Sequence, residues 1–180
     1  MKNILILTGS PRKSGNSYLL ADAFARGAAE SGHKIIKYDT ANHRIQGCRD
    51  CKQCYKADKA CVFDDDFNEL AVLIEEADVL VFATPLYWYT FPGQLKSAID
   101  RMISLAMADR LRHIKESALL ACAATEDIAD FDALVKTYES ITNYLHWTDV
   151  GQLLVTEVYE TTDILTIGAL SKAQALGKNI

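Results

Sequence analysis

Five short apolar segments recur along this chain, and stretches with helical spacing separate them. The segments predicted as strands cover residues 4–7, 33–39, 78–84, 117–124 and 151–158. The predicted helices cover residues 17–29, 64–77, 92–103, 128–145 and 164–176. Strict alternation of strands and helices favours an α/β fold, an open parallel sheet with helices on both faces. For five strands we predict the order 2-1-3-4-5, in which ligands bind where the order reverses, between strands 1 and 3.

The loop after the first predicted strand has the composition of an anion site. Residues 9–17 read Gly-Ser-Pro-Arg-Lys-Ser-Gly-Asn-Ser, and a helix is predicted to begin at their end. The first backbone N–H groups of a helix have no intrahelical acceptor and lie at the positive end of its dipole, so they attract a phosphate. The side chains expected to add contacts are Ser10, Arg12, Asn16 and Ser17.

The spacing of the glycines excludes two familiar phosphate-binding loops. Gly9 and Gly15 enclose five residues where a Walker A loop has four, and Asn16 stands where that loop has its lysine. The sequence also departs from the Gly-x-Gly-x-x-Gly fingerprint of dinucleotide-binding folds. A single phosphomonoester therefore fits this loop best, and an ordinary strand-to-helix turn without a ligand is the alternative.

Charge and hydrophobicity exclude further classes of partner. The 180 residues carry a formal net charge of -5, which argues against nucleic acid and anionic membranes because both are bound mainly through Lys and Arg. No apolar run approaches the length that spans a bilayer. The first residues lead directly into a predicted strand and lack the charged and apolar pattern of a secretory leader, so we expect a cytoplasmic protein. The length and the regular alternation favour one domain, residues 1–180.

Aromatic side chains follow the third predicted strand, in residues 84–91. In the predicted strand order this segment lies beside the anion site after strand 1. The two loops together suit a ligand with a phosphate at one end and a planar heterocycle at the other. For Tyr89 and Phe91, packing in the core or against another subunit is an equal alternative.

Four of the five cysteines lie within fourteen residues, in an irregular segment between the second strand and the second helix. Their spacing, Cys48-x2-Cys51-x2-Cys54-x6-Cys61, is typical of the ligands of a [4Fe-4S] cluster. Zinc is a second alternative, although a structural zinc site prefers two CxxC pairs separated by a longer arm. Reduced thiols in a loop that covers a ligand or a subunit interface are the third. Cys122, on the fourth strand, is predicted to be a small buried residue.

Several motifs together resemble a known family. In chain order they are Gly9-Ser-Pro-Arg-Lys-Ser-Gly-Asn-Ser, the four cysteines, Asp65-Asp66, Pro85-Leu-Tyr-Trp, Leu95-Lys96 and Ile99-Asp100-Arg101. This order resembles the flavodoxin-like family of NAD(P)H-dependent FMN reductases and iron–sulfur flavoproteins. The resemblance implies a flavodoxin-like three-layer sandwich and FMN held by the loops after strands 1 and 3. It also implies a homodimer or homotetramer in which a neighbouring subunit closes over the flavin.

The resemblance further implies which residues contact the flavin. Ser10, Arg12, Asn16 and Ser17 match the family's phosphate loop. The segment beside the isoalloxazine ring is matched by Pro85, Leu86, Tyr87 and Trp88, whose backbone N–H groups would hydrogen-bond the pyrimidine side and N5. The loop after the fourth strand reads Cys-Ala-Ala-Thr-Glu-Asp in place of the family's glycines, and contacts are expected there from Ala123 and Thr125.

The implied function is that of an oxidoreductase. NAD(P)H delivers hydride to FMN, and a small acceptor such as a quinone, a nitro or azo compound, free flavin or a metal ion then takes the electrons. Because the cofactor carries this chemistry, no side chain is predicted to be catalytic. The alternative is an iron–sulfur flavoprotein, in which a [4Fe-4S] cluster on Cys48, Cys51, Cys54 and Cys61 passes electrons to a protein redox partner. A flavin-binding sensor without turnover is a third hypothesis.

Overall fold

A parallel five-stranded sheet forms the centre of the computed structural model, which describes residues 1–56 and 58–180. The strands are β1 (Asn3–Thr8), β2 (Lys34–Asp39), β3 (Val79–Pro85), β4 (Glu116–Cys122) and β5 (Thr148–Val155). Every neighbouring pair is parallel, and the order is β2-β1-β3-β4-β5. The predicted sheet and its strand order are confirmed.

Helices cover both faces of the sheet, as predicted. They are α1 (Asn16–Glu30), α2 (Phe67–Glu75), α3 (Gly93–Arg101), α4 (Ile103–Met107), α5 (Asp132–Leu145) and α6 (Ala169–Lys178). Two hydrophobic cores flank the sheet. In one, α1 and α6 pack on the face that carries Ile4 and Ile6. In the other, the helices α2, α3, α4 and α5 pack on the face that carries Leu5 and Leu7. No helix in the described part of the chain is long and apolar enough to cross a membrane.

Some boundaries differ from the sequence prediction for identifiable reasons. The second helix begins at Phe67 and not at residue 64, because the preceding carboxylates bind an earlier loop. Asp66 Oδ2 accepts the backbone N–H of Arg44 at 2.6 Å, and Asp65 Oδ2 accepts that of Gln46 at 3.0 Å. The predicted helix over residues 92–103 is interrupted at Met102, where α3 gives way to the short α4.

Two further differences lie near the end of the chain. The fifth strand begins at Thr148, three residues before its predicted start, because the Thr148 N–H donates to the Lys115 carbonyl oxygen at 2.7 Å and extends the pairing with β4. The last helix begins only at Ala169, since Asp163–Leu165 forms a separate 3-10 turn before it.

Candidate functional site

The loops after β1 and β3 contact each other directly at the predicted ligand position. The Gly9 N–H donates to the Ala83 carbonyl oxygen at 2.9 Å. A Cβ atom on Gly9 would lie 2.8 Å from Thr84 Oγ1 and 3.0 Å from a methyl group of Leu95. Because a side chain has no room there, Gly9 allows the two loops to meet where the strand order reverses.

The N-terminus of α1 presents unpaired hydrogen-bond donors. Within the described residues, the backbone N–H groups of Asn16, Ser17 and Tyr18 have no acceptor, as expected for the first turn of a helix. Ser17 itself is buried in this turn, with 2% of its surface exposed. The helix dipole adds positive potential at these groups, so the position suits an anion.

The loop that precedes α1 is wound tightly by its own hydrogen bonds. The buried Ser10 hydroxyl accepts the backbone N–H of Arg12 at 3.1 Å, and the Gly15 N–H donates to the Arg12 carbonyl oxygen at 3.0 Å. The Arg12 side chain is exposed. Asn16 instead donates its Nδ2–H to the carbonyl oxygen of Glu160 at 2.9 Å, so its amide ties α1 to the segment after β5.

Part of the expected flavin-binding segment is already engaged by protein groups. The Leu86 N–H donates to the Cys122 carbonyl oxygen at 2.9 Å, while Tyr87 and Thr90 exchange two backbone hydrogen bonds of 3.1 Å. Since Pro85 has no N–H, the predicted set of backbone donors reduces to Trp88, whose N–H has no acceptor among the described residues.

Trp88 and Tyr89 form the tip of this tight turn. Both have positive φ angles, 45° and 65°, and residues other than glycine adopt such angles only at a cost in conformational free energy. Trp88 is 92% exposed and Tyr89 is 53% exposed. Phe91 is instead buried and contacts Phe82, with ring centroids 5.7 Å apart, so of the two alternatives Phe91 belongs to the core.

The loop after β4 is bound to the segment after β5. The Ala123 N–H donates to the Val155 carbonyl oxygen at 2.9 Å, and the Thr125 carbonyl oxygen accepts the Glu157 N–H at 2.8 Å. The Thr125 hydroxyl bonds the Asp130 carboxylate. Contacts from Ala123 and Thr125 to a ligand therefore stay a prediction.

The four clustered cysteines line one small cavity, of about 60 Å³. Cys48 and Cys51 are exposed, while Cys54 and Cys61 are partly buried, and all four are unpaired thiols. Burial raises the pKa of Cys54, and the neighbouring thiols raise it further. Among residues 1–56 and 58–180, no three Cys, His, Asp or Glu side chains form a group that could hold a metal ion. Cys122 is buried in the sheet, as predicted.

A buried ion pair adjoins this cavity, and the sequence alone did not reveal its partners. Arg101 Nη1 donates to Asp65 Oδ2 at 2.5 Å, and the two side chains are 2% and 1% exposed. Burial opposes ionisation of Asp65, but the hydrogen bonds from Arg101 and the Gln46 N–H prevail and lower its pKa. Within α3, Lys96 pairs with Asp100, whereas Arg101 pairs with a residue thirty-six positions earlier in the chain.

An open parallel sheet with unpaired backbone donors at its reversal point defines a doubly wound α/β protein, and the N-terminus of α1 is placed where such folds bind ligands. The chain belongs to the NADPH-dependent FMN reductase family, whose model matches residues 2–158. The flavodoxin-like fold expected from the sequence is thereby confirmed, together with the resemblance on which that expectation depended.

Individual relatives agree with this family. The chain is 39% identical over 103 residues to an iron–sulfur flavoprotein of Archaeoglobus fulgidus, covering 57% of this chain and 46% of that protein. It is 29% identical over 140 residues to an iron–sulfur flavoprotein of Methanosarcina thermophila, covering 78% and 71%. The match thus spans about half the length of the first relative. Among solved structures, an NAD(P)H:quinone oxidoreductase of Methanothermobacter marburgensis superposes with a TM-score of 0.73 at 20% identity, covering 99% of this chain and 96% of that one.

Proposed function

We propose that this chain is an FMN-dependent oxidoreductase that uses NAD(P)H to reduce a small acceptor, such as a quinone, a nitro or azo compound, free flavin or a metal ion. The observation that carries the proposal is the set of unpaired N–H groups on Asn16, Ser17 and Tyr18, beside the turn that follows β3. These donors fit the phosphate of FMN, and family membership favours that ligand over other phosphomonoesters.

The chain's own residues bind and orient in this proposal. The first turn of α1 and the Ser17 hydroxyl hold the phosphate, and Arg12 adds charge from the solvent side. The Trp88 N–H and the rings of Tyr87 and Trp88 orient the heterocycle at the other end of the site. When bound there, FMN supplies the hydride-accepting and electron-donating chemistry, so the protein needs no acid–base pair.

Titration of the flavin-free protein with FMN, followed by fluorescence quenching, tests the phosphate site. Ser17→Asp places a carboxylate among the donors of α1, and we expect FMN affinity to fall by more than tenfold because the two anions repel. Ser17→Ala removes one hydrogen bond, and we expect a loss of about fivefold, near 1 kcal/mol. Thr148→Asp adds the same charge at an exposed position where β5 begins, at the opposite end of the strands from the site, and serves as the control. Unchanged FMN affinity in Ser17→Asp would refute this placement of the phosphate.

Turnover is tested separately, with the flavin-loaded protein. We expect oxidation of NADH or NADPH that depends on both FMN and an added quinone, nitro or azo acceptor. If neither nucleotide is oxidised with any of these acceptors, the reductase proposal fails, and the flavin-binding sensor becomes the better hypothesis.

A second candidate function is that of an iron–sulfur flavoprotein that exchanges electrons with a protein redox partner. The observation in its favour is that Cys48, Cys51, Cys54 and Cys61 line one cavity. Four thiols around one cavity are the ligand set of a [4Fe-4S] cluster. The sulfur atoms of such a ligand set lie further apart than those that bind a single metal ion.

Iron and acid-labile sulfide in anaerobically prepared protein test this candidate. We expect Cys51→Ser to lose both. Cys122→Ala, in the buried sheet and outside the cavity, is the matched control and keeps them. A wild-type protein without iron and sulfide after anaerobic reconstitution would refute the cluster and leave reduced thiols beside the flavin site.

We further propose that residues 1–180 act as one FMN-binding domain and assemble as a homodimer or homotetramer. An apolar groove of about 710 Å³ between α3, α4 and α5 supports assembly, because it is bordered by the partly exposed side chains of Ile103 and Tyr144. Light scattering coupled to size-exclusion chromatography tests this, and a monomer at micromolar concentration would refute it.

A further inference from the structure

Arg101 is a buried cation with unused hydrogen-bond donors. Its side chain is 2% exposed, and Nη1 donates hydrogen bonds to Asp65 Oδ2 at 2.5 Å and to the Gln46 carbonyl oxygen at 3.3 Å. Nε and Nη2 are also buried, but neither has an acceptor among the described residues. Native proteins rarely leave buried charged donors unpaired, because such donors have lost water without gaining a partner. Two donors of the guanidinium are therefore free to bind an acceptor placed beside them.

The cavity of the four cysteines is the space that this guanidinium borders. Arg101 and Phe63 line it together with the thiols. The guanidinium lies 4.4 Å from the ring centroid of Phe67 and 5.9 Å from that of Phe63, so aromatic rings fix its plane. Because Asp65 and the two rings hold the guanidinium, its orientation at the wall of the cavity is fixed.

The remaining charges around the cavity are mostly positive. Arg49 and Lys52 line it with exposed side chains, and one carboxylate, Asp50, pairs with Lys52 at 3.8 Å. Exposed charges are screened by water, whereas the buried Arg101 is not. A thiolate-bound [4Fe-4S] cluster carries net negative charge, so the mostly positive lining complements the charge of the cluster. Arg101 contributes most of this electrostatic complementarity because it is buried.

We propose that Arg101 donates hydrogen bonds from Nε and Nη2 to the sulfur atoms of a cluster held by Cys48, Cys51, Cys54 and Cys61, and thereby raises the cluster's reduction potential. Hydrogen bonds to sulfur and nearby positive charge stabilise the reduced state, which holds one more electron. The inference depends on the iron–sulfur candidate function. Arg101 acts through the cluster's surroundings and is not a ligand.

The test is the reduction potential of the reconstituted cluster, measured by anaerobic redox titration with visible and electron paramagnetic resonance spectra. In Arg101→Gln we expect the ratio of reduced to oxidised cluster at a fixed potential to fall at least tenfold, a shift of about 59 mV to lower potential for one electron. Arg110→Gln is the matched control. Arg110 is also ion-paired and lies over a tyrosine ring, but it is half-exposed and outside the cavity, so its removal leaves the potential unchanged.

A second variant covers the case in which Arg101→Gln does not fold because Asp65 is left buried without its cation. Asp65→Asn combined with Arg101→Gln removes both charges. Gln46 and Phe67 donate to different oxygens of Asp65, so the single Asn oxygen can still accept one of these two N–H groups. We expect this protein to fold and to show a lowered potential. A wild-type potential in a folded, cluster-loaded Arg101→Gln or double variant overturns the role of Arg101 but leaves the cluster intact. Absence of iron and sulfide from the wild type overturns the cluster itself, and the role of Arg101 with it.

Discussion

Replacing Gly27 by alanine probes a close backbone contact between two helices. α1 packs against α6 through two glycines, and a Cβ atom on Gly27 would lie 1.9 Å from the carbonyl oxygen of Gln174. Gly177, on the other helix, approaches the Phe24 carbonyl oxygen in the same way, at 2.1 Å. Since the obstacle is backbone and not a side-chain end, the helices would have to separate by about 1.5 Å to restore an ordinary contact.

Two opposing terms decide the size of the effect. Alanine in place of glycine inside a helix gains about 1 kcal/mol from helix propensity. Overpacking costs typically 1–3 kcal/mol, and a clash with backbone belongs at about the upper end. We therefore expect Gly27→Ala to lower the free energy of unfolding by about 2 kcal/mol, which corresponds to a fall in Tm of about 4–8 °C for a chain of this size.

Thermal unfolding followed by circular dichroism measures this loss. Gly93→Ala is the control, because Gly93 also lies in a helix but a Cβ atom there meets nothing within 4 Å. The control is expected to match or slightly exceed the wild-type Tm. If Gly27→Ala were as stable as Gly93→Ala, the backbone approach of α1 and α6 would not limit the packing, and the reasoning would be wrong.

Three further predictions concern the buried and strained groups. Because the folded-state pKa of Asp65 is lowered, its ion pair stabilises the fold above about pH 4 and loses this effect as the pH falls through that pKa. Asp65→Asn should cost about 3 kcal/mol in urea unfolding at pH 7, with the gap narrowing in acid, and a pH-independent gap would contradict this. Tyr89→Gly should raise stability by about 0.5–1 kcal/mol by relieving the positive φ, and a lower Tm would mean that the ring packs usefully. Burial raises the pKa of Cys122 to about 12, so iodoacetamide at pH 8 should leave it unlabelled in the folded protein by mass spectrometry.

Sequence reasoning predicted that the loops after β1 and β3 lie side by side, because that placement depends on local signals and on strand order. The loop from Gly9 to Ser17 carries turn residues and a helix start, and parallel strand order brings it beside the segment after β3. The same reasoning overestimated the free backbone donors of that segment. Local sequence patterns do not indicate that the Leu86 N–H donates to the Cys122 carbonyl oxygen on the neighbouring strand. Nor do they indicate that Tyr87 and Thr90 exchange backbone hydrogen bonds.

The sequence by itself determined the alternation of strands and helices, the strand order and the family, because hydrophobic periodicity and short motifs record local structure. It also placed four cysteines close together in the chain. Only the tertiary structure decided which distant groups face them. Asp65 and Arg101 are thirty-six residues apart, and their burial beside the cysteine cavity follows from the packing of α3 against the loop before α2. Such pairings depend on which helix faces come together, and a linear pattern does not carry that information.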